Sequence, residues 1–248
     1  YKPRKATSGT KAGRKKACVS RLLWKNGSLE IKYEAKRRTK TMCGIVGYVG
    51  TKNCVPILLS GLKRLEYRGY DSAGVAVIDI DKSKIDIVKT KGRLTILEEK
   101  LNQNPIEGFV GIGHTRWATH GEPSDENSHP HVSQNGKIAI VHNGIIENYL
   151  KLKEFLIKKG YTFASDTDTE VVAHLIEYYY DGDILDAFIK TLEKIQGSYA
   201  LGVLCLDRPD MLLAARKDSP LIVGLGQGEN FIASDIPAIL EYTRDTYI

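Results

Sequence analysis

From Cys43 onward the chain switches between two apolar rhythms. "CGIVGYVG" (43–50) has the short apolar texture of a strand. "NCVPILLSGLKRLEYRG" (53–69) then puts Leu58, Leu62 and Leu65 at helical spacing on one face. "SAGVAVIDI" (72–80) and "KIDIVKTKG" (84–92) are two strand patterns separated by a polar turn, which predicts a hairpin. "LTILEEKLNQN" (94–104) predicts a short helix, and "FVGIGHTRWATHG" (109–121) a strand entering a polar loop. "KIAIVHNGIIEN" (137–148) reads as a strand that breaks at Asn143–Gly144. "YLKLKEFLIKKG" (149–160) spaces Tyr149, Leu152, Phe155 and Leu156 for one helical face and stops at Gly160. "TDTEVVAHLIEYYY" (167–180) and "ILDAFIKTLEKIQG" (184–197) predict two more helices, the first opened by a capping box with Thr167 as cap and Glu170 three residues on. Four strand patterns follow: "SYALGVLCLD", "MLLAARK", "PLIVGLG" and "NFIASD". Many strands adjoin one another in sequence, so most pairs should be antiparallel. Enough strands for two sheets, with helices to cover both, predict an α+β chain built as a four-layer α/β/β/α sandwich.

Residues 1–41 lack any such rhythm. "RLLWKNGSLEIKYEA" could form a weak hairpin around Asn26–Gly27, but the segment is rich in Lys, Gly, Ser and Thr, and disorder is the favoured expectation. Charge draws the same boundary. The whole chain of 248 residues carries +6. Residues 1–41 hold 14 Lys and Arg against two acids, a net +12, which leaves −6 for residues 42–248. The body is a mildly acidic globule behind a basic leader, and the overall charge says nothing about what the body binds. The leader would attract phosphates non-specifically, but it lacks the interleaved aromatics of a dedicated nucleic-acid reader. A sequence that is 42% hydrophobic, with no apolar run near 18 residues, predicts neither a transmembrane span nor a secretory signal. Cys18, Cys43, Cys54 and Cys205 are scattered without CxxC spacing, so no disulfide framework or zinc knuckle is suggested and a reducing cytoplasm fits.

The candidate chemistry begins at Cys43. A thiol has an ordinary pKa near ~8.5 and needs a base to become a nucleophile. A Cys that is the first residue can use its own α-amine, which titrates at roughly 7.7–8.0. A buried core cysteine is the plainer reading of this residue alone. "GHTRWATHGEPSDENSHPH" (113–131) packs Arg116, Trp117, His120, Glu122 and His114, His129 and His131 into one polar segment. Arg116 could grip a carboxylate as a bidentate fork, and Trp117 could act as a lid. A metal held by His120, His129 and His131 is the rival, but no helical H-x-x-x-H pins those ligands, and neither metal nor cofactor is expected. Asn143 and Gly144 are a turn or, functionally, an oxyanion hole. Asp168 stands at a helix start, where it could receive an ammonium. "EYRGYDSAG" adds Arg68 and Asp71 in a Gly-flanked turn, and "GLGQGEN" is a hairpin turn instead of a dinucleotide fingerprint.

Taken together, "MCGIVGYVG", "GLKRLEYRGYDSAG", "GHTRWATHG", "HNGIIENY" and "SDTDTEVVAH" resemble, in order and spacing, the glutaminase domain of the glutamine–fructose-6-phosphate aminotransferase family. At a lower level they are similar to the wider class of N-terminal-cysteine amidotransferases. The resemblance implies an N-terminal-nucleophile hydrolase fold over residues 42–248. It implies that Cys43 attacks the carboxamide of L-glutamine, that Asn143 and Gly144 hold the oxyanion, and that Arg116 and Asp168 bind the α-carboxylate and α-ammonium. It also implies that Trp117, Thr119 and His120 belong to a loop closing over the substrate, with Arg68 supporting the catalytic end. In that family, C-terminal sugar-isomerase domains, which usually pair into a dimer, use the ammonia to convert fructose 6-phosphate to glucosamine 6-phosphate. Those domains are missing from this sequence, which is expected to be truncated after Ile248. The family pattern begins at Met42, so residues 1–41 are expected to be translated upstream sequence, a cleaved propeptide, or a targeting or phosphate-binding arm.

Overall fold

The computed structural model describes residues 21–25, 28–32, 43–81, 83–117 and 121–247. The chain divides into two compact units, 1–39 and 40–248. In the first, strands β1 (Arg21–Lys25) and β2 (Ser28–Lys32) pair antiparallel, with Leu22 opposite Ile31 and Lys25 opposite Ser28. These two strands lie where the sequence reads as a weak hairpin, and the rest of the 1–41 segment lies outside the described residues.

The second unit holds eleven strands and five α-helices among its described residues. The strands are β3 (Gly44–Val49), β4 (Ser72–Asp79), β5 (Lys84–Lys91), β6 (Val110–Arg116), β7 (His131–Val132), β8 (Ile138–Ile146), β9 (Gly197–Cys205), β10 (Leu212–Lys217), β11 (Ile222–Leu225), β12 (Asn230–Ala233) and β13 (Asp245–Tyr247). The helices are α1 (Cys54–Lys63), α2 (Leu94–Gln103), α3 (Tyr149–Lys158), α4 (Glu170–Tyr179) and α5 (Ile184–Lys194). A seven-stranded sheet runs β13-β11-β12-β3-β6-β4-β5 and a four-stranded sheet β10-β9-β8-β7, with every strand pair antiparallel.

Strand alternation builds the layers. In the large sheet Val46, Tyr48, Val75 and Val77 point to one side, where they bury against Leu58 and Leu62 of α1 and Leu94 and Leu97 of α2. Their neighbours Ile45, Ala76, Ile78 and Ile112 point to the other side and meet Ala139, Val141, Ala200 and Leu204 of the small sheet. Ile138, Ile140, Leu201 and Val203 face outward again and pack under Val172, Ile176, Ile184 and Phe188 of α4 and α5. The result is an α/β/β/α sandwich of two antiparallel sheets, as the sequence pattern predicts. The predicted β4–β5 hairpin forms, and "GLGQGEN" turns the chain between β11 and β12. Among the described residues, no helix is long and apolar enough to cross a membrane.

Four local expectations fail, each for a physical reason. β8 does not break at Asn143–Gly144 but pairs with β9 from Ile138 to Ile146, with Gly144 opposite Tyr199. Gly144 takes φ +132°, and a Cβ there would sit 2.0 Å from the Ser198 carbonyl oxygen, so the glycine keeps the ladder running through a conformation closed to other residues. The capping box at Thr167 does not form. α4 starts at Glu170, and Glu170 instead accepts from the Ala164 and Ser165 N–H groups at 2.8 and 2.7 Å. α1 stops at Lys63, so Leu65 reaches the core from beyond the helix and Arg68 lies in a separate 3-10 turn, Glu66–Arg68. On α3 only Leu156 is fully buried, while Phe155 stays on the surface, edge-on to Tyr178.

Close approach of the sandwich to the 122–131 segment is tightest at Gly74. A Cβ there would lie 2.3 Å from the His129 carbonyl oxygen and 2.6 Å from Lys89 Cβ. Gly74→Ala should therefore cost about 1–3 kcal/mol by overpacking, seen as a lower urea midpoint at unchanged slope.

Candidate active site

The site gathers at one end of the large sheet. Cys43 precedes β3, and the register places Gly44 opposite Thr115 and Ser72 opposite Arg116, so the start of β3, the start of β4 and the end of β6 lie side by side. The half-buried Cys43 thiol touches the Trp117 backbone twice: the Trp117 N–H donates to Sγ at 3.2 Å, and the thiol points to the Trp117 carbonyl oxygen at 3.6 Å. Burial pushes this thiol above its ordinary value, while the Trp117 N–H and the Arg116 guanidinium work the other way and Asp71 adds to the rise.

The Cys43 carbonyl oxygen is held by two side chains. Asn143 Nδ2 donates to it at 3.0 Å from the small sheet, and Arg68 donates to it at 3.3 Å from the 3-10 turn. Arg68 also donates to Ser234 Oγ at 3.2 Å and pairs with Asp235 at 2.9 Å. Ser234 Oγ in turn accepts from the Ile45 N–H at 3.0 Å. Ser234 and Asp235 escaped the sequence reading, since they lie 166 and 167 residues from Arg68 and carry no local signature.

β7 covers β8 only at Ala139 and Ile140, so from His142 onward that edge has no strand partner among the described residues. Gly144 is exposed there and Asn143 buried. Asp168 is buried, and its Oδ2 accepts from the Ile146 N–H at 2.7 Å, which ties it to the same edge. Hydrogen bonds brace the turn on both flanks: Thr167 Oγ1 meets His131 Nε2 at 2.9 Å, and Thr169 Oγ1 meets His142 Nδ1 at 2.9 Å.

Much of the described part of the polar segment 113–131 is buried, with Glu122, Asp125 and Glu126 on the surface. His114, Thr115 and Arg116 belong to β6 and are buried, as are Asn127, Ser128, His129 and His131. Arg116 donates to the Gly121 carbonyl oxygen at 3.2 Å, and its own carbonyl accepts from the Asp71 N–H at 2.7 Å. Lys89 holds the segment by donating to the carbonyls of Glu126, Ser128 and Pro130 at 3.0, 2.9 and 3.4 Å. Asn127 accepts from the Asp166 N–H at 2.9 Å, linking the segment to the Asp168 turn. His114 and His129 stack with centroids 4.3 Å apart, and His131 meets His129 edge-on at 4.8 Å. Burial lowers the pKa of His114 to about 3 and drives those of His129 and His131 well below the ordinary value, so all three are neutral at working pH. His129 and His131 are thus committed to packing and to Thr167, and no group of three metal-ligating side chains forms among the described residues. Trp117 is 43% exposed. Thr119 and His120 lie outside the described residues.

Residues 114–241 match the model of the glutamine amidotransferase domain. The chain belongs to the glutamine amidotransferase family. It is 68% identical over 206 residues to the glutamine–fructose-6-phosphate aminotransferase [isomerizing] of Caldanaerobacter subterraneus subsp. tengcongensis, covering 83% of this chain and 34% of that one. It is 57% identical over 203 residues to the enzyme of the same name from Aquifex aeolicus, covering 82% of this chain and 34% of that one. The chain therefore spans about a third of the length of the curated relatives it matches. Among solved structures it is similar to the glutamine phosphoribosylpyrophosphate amidotransferase of B. subtilis, complexed with ADP and GMP. That match has a TM-score of 0.71 and 29% identity, and covers 81% of this chain and 44% of that one. Cys43, Arg116, Asn143, Gly144 and Asp168 lie toward one end of this sandwich.

Within the amidotransferase scaffold, Glu170 supports the Asp168 turn electrostatically. Burial opposes its charge, yet bonds from His174, Ser165 and the Ala164 and Ser165 N–H groups hold its carboxyl down at about 2, below the ordinary 4.5. A depressed carboxylate contributes stability that is full above 4.5 and is lost as pH falls toward 2. Glu170→Gln should lose about 1–3 kcal/mol at neutral pH, because its amide sets a donor against the Ser165 N–H or hydroxyl. The variant's acid-unfolding curve should be flatter than the wild type's between pH 4.5 and 2.

Proposed function

We propose that residues 42–248 form a glutaminase domain that hydrolyses L-glutamine to glutamate and ammonia through a thioester on Cys43. The observation carrying this reading is the convergence on Cys43: its carbonyl is held by Asn143 at 3.0 Å and its thiol by the Trp117 N–H at 3.2 Å, in a chain of the amidotransferase family. Arg116 takes the substrate α-carboxylate as a charge-assisted pair, and Asp168 takes the α-ammonium. Trp117, Thr119 and His120 close over the bound substrate, and Arg68 steadies the nucleophile's backbone.

In the chemical step the Cys43 thiol passes its proton to its own α-amine, and the sulfur attacks the carboxamide carbon. One Asn143 amide hydrogen and the Gly144 N–H meet the oxyanion. The C–N bond breaks, the amine returns the proton to the leaving nitrogen, and ammonia departs. Water then hydrolyses the thioester, releasing glutamate and regenerating the thiol. No metal or organic cofactor enters this sequence. A peptide nitrogen on Cys43 is not basic, so the activity requires a chain that begins at Cys43, after removal of Met42. The relatives are named for an aminotransferase reaction on fructose 6-phosphate, and we propose that a full-length protein delivers the ammonia to further domains for that reaction, with glucosamine 6-phosphate as product and a cytoplasmic homodimer as the working form.

The three cores of the second unit use only residues from Ile45 to Tyr242, so this unit carries its own core and can be assayed from Met42 onward. With Met42 removed it should release glutamate from glutamine. Cys43→Ala should abolish release while the thermal transition survives. Asn143→Ala should lower kcat by about 10²–10³, whereas Arg116→Lys should act mainly on KM. Retained hydrolysis in Cys43→Ala would overturn the mechanism, and equal activity with residues 1–42 still attached would overturn the role of the amine.

A further inference from the structure

We infer that His114 is a positioning residue for the reaction: its Nε2–H fixes which end of the Asn143 amide faces the nucleophile. The inference rests on the glutaminase reading above and concerns a residue that never meets substrate.

The argument starts from an ambiguity built into asparagine. Its side chain has a donor end and an acceptor end of nearly equal size, and a half-turn about the last bond exchanges them. An oxyanion is stabilised by the NH2 end and repelled by the carbonyl end. The neighbours of Asn143 decide between the two. One is the Cys43 carbonyl oxygen, 3.0 Å from Nδ2, which can only accept. The other is His114 Nε2, 2.9 Å from Oδ1. Since Nδ2 must face the Cys43 carbonyl, Oδ1 must face the ring, and the ring must carry its proton on Nε2. In that state one amide hydrogen is committed to Cys43 and the second remains for the oxyanion.

His114 is suited to the task by its surroundings. It is fully buried in β6, between Ile45 on β3 and Gly74 on β4, and its ring is clamped against His129. The bond crosses from the large sheet to the small one, so it also sets the spacing of the two sheets at the site. The charged and titratable groups around it are Arg116, His142 and the neutral His129 and His131. Its low pKa, about 3, keeps His114 neutral through the working range, with its one proton on Nε2 toward Asn143.

The test uses the chain from Met42 onward, with Met42 removed, and glutamine hydrolysis as readout. His114→Gln can place an amide N–H near the Nε2 position, whereas the shorter His114→Asn reaches only the Nδ1 position. His114→Phe keeps the stacked ring without a donor. The expected result is a kcat loss of about 10–100-fold in His114→Phe and His114→Asn, at nearly unchanged KM, and recovery to within a few fold in His114→Gln. In an Asn143→Ala background, His114→Phe should cost nothing further, because its only route to the reaction is gone. Equal kcat in the Gln and Asn variants, a loss in KM instead of kcat, or multiplicative losses with Asn143→Ala would each overturn the inference. The Gln–Asn comparison stands even if His114→Phe does not fold. Failure of the glutaminase reading would show separately, as an inactive parent chain.

Discussion

The site depends on one constraint, the fixing of the Cys43 carbonyl oxygen. Two donors from different parts of the fold meet on it, Asn143 of the small sheet and Arg68 of the 3-10 turn after α1. A carbonyl held from two directions leaves its peptide unit little freedom, so the backbone that carries the thiol of the same residue is fixed. Arg68 is in turn anchored by Ser234 and Asp235 at the end of β12, and Ser234 also accepts from the Ile45 N–H of β3. β3, β8 and the residues that follow β12 therefore share one hydrogen-bonded junction. Its members are largely shielded from water, where such bonds are strong and an unmade one is costly.

The buried histidines solve a related problem. Four imidazoles, His114, His129, His131 and His142, come together near Arg116, an arrangement that would repel strongly if charged. Burial removes the charge from His114, His129 and His131, and the rings act as oriented donors or acceptors. His114 reaches Asn143, His131 reaches Thr167, and His142 reaches Thr169. His114, Thr115, Arg116, Asn127, Ser128, His129 and His131 are thus interior struts of the site, which is why they are buried in a stretch with the composition of a loop.

How much of this the sequence showed follows from the range of each interaction. Strand and helix rhythms are local, so the sandwich, the β4–β5 hairpin and the five helices were legible. Cys43, Arg116, Asn143 and Asp168 were legible as candidates through their motifs. The continuity of β8 was not, because Asn-Gly signals a turn unless something demands a strand, and here the demand comes from β9, more than 50 residues on. The Thr167 cap failed for a like reason: Glu170 found better donors at Ala164 and Ser165 than a helix start offered. Arg68 was legible as a residue but not through its partners, since Asp235 is joined to it only by the closing of the large sheet.

The same accounting bears on the missing base. A thiol raised by burial is a poor nucleophile until something removes its proton, and the common helper is a histidine. Among the described residues the Cys43 sulfur meets only the backbone of Trp117. Among the described residues, the histidines close to the site are already engaged with Asn143, Thr167, Thr169 or one another, and His174 lies against Glu170 and the rings of Tyr161 and Phe163. Recruiting one of them would break a strut that holds Asn143 or the Asp168 turn. The nitrogen already fixed at the nucleophile is that of Cys43 itself, two bonds from its Cβ and independent of every strut. Freed as an amine it titrates near working pH, and bound in a peptide it does not. In the proposed mechanism the architecture thus assigns side chains to geometry and leaves proton transfer to the chain terminus.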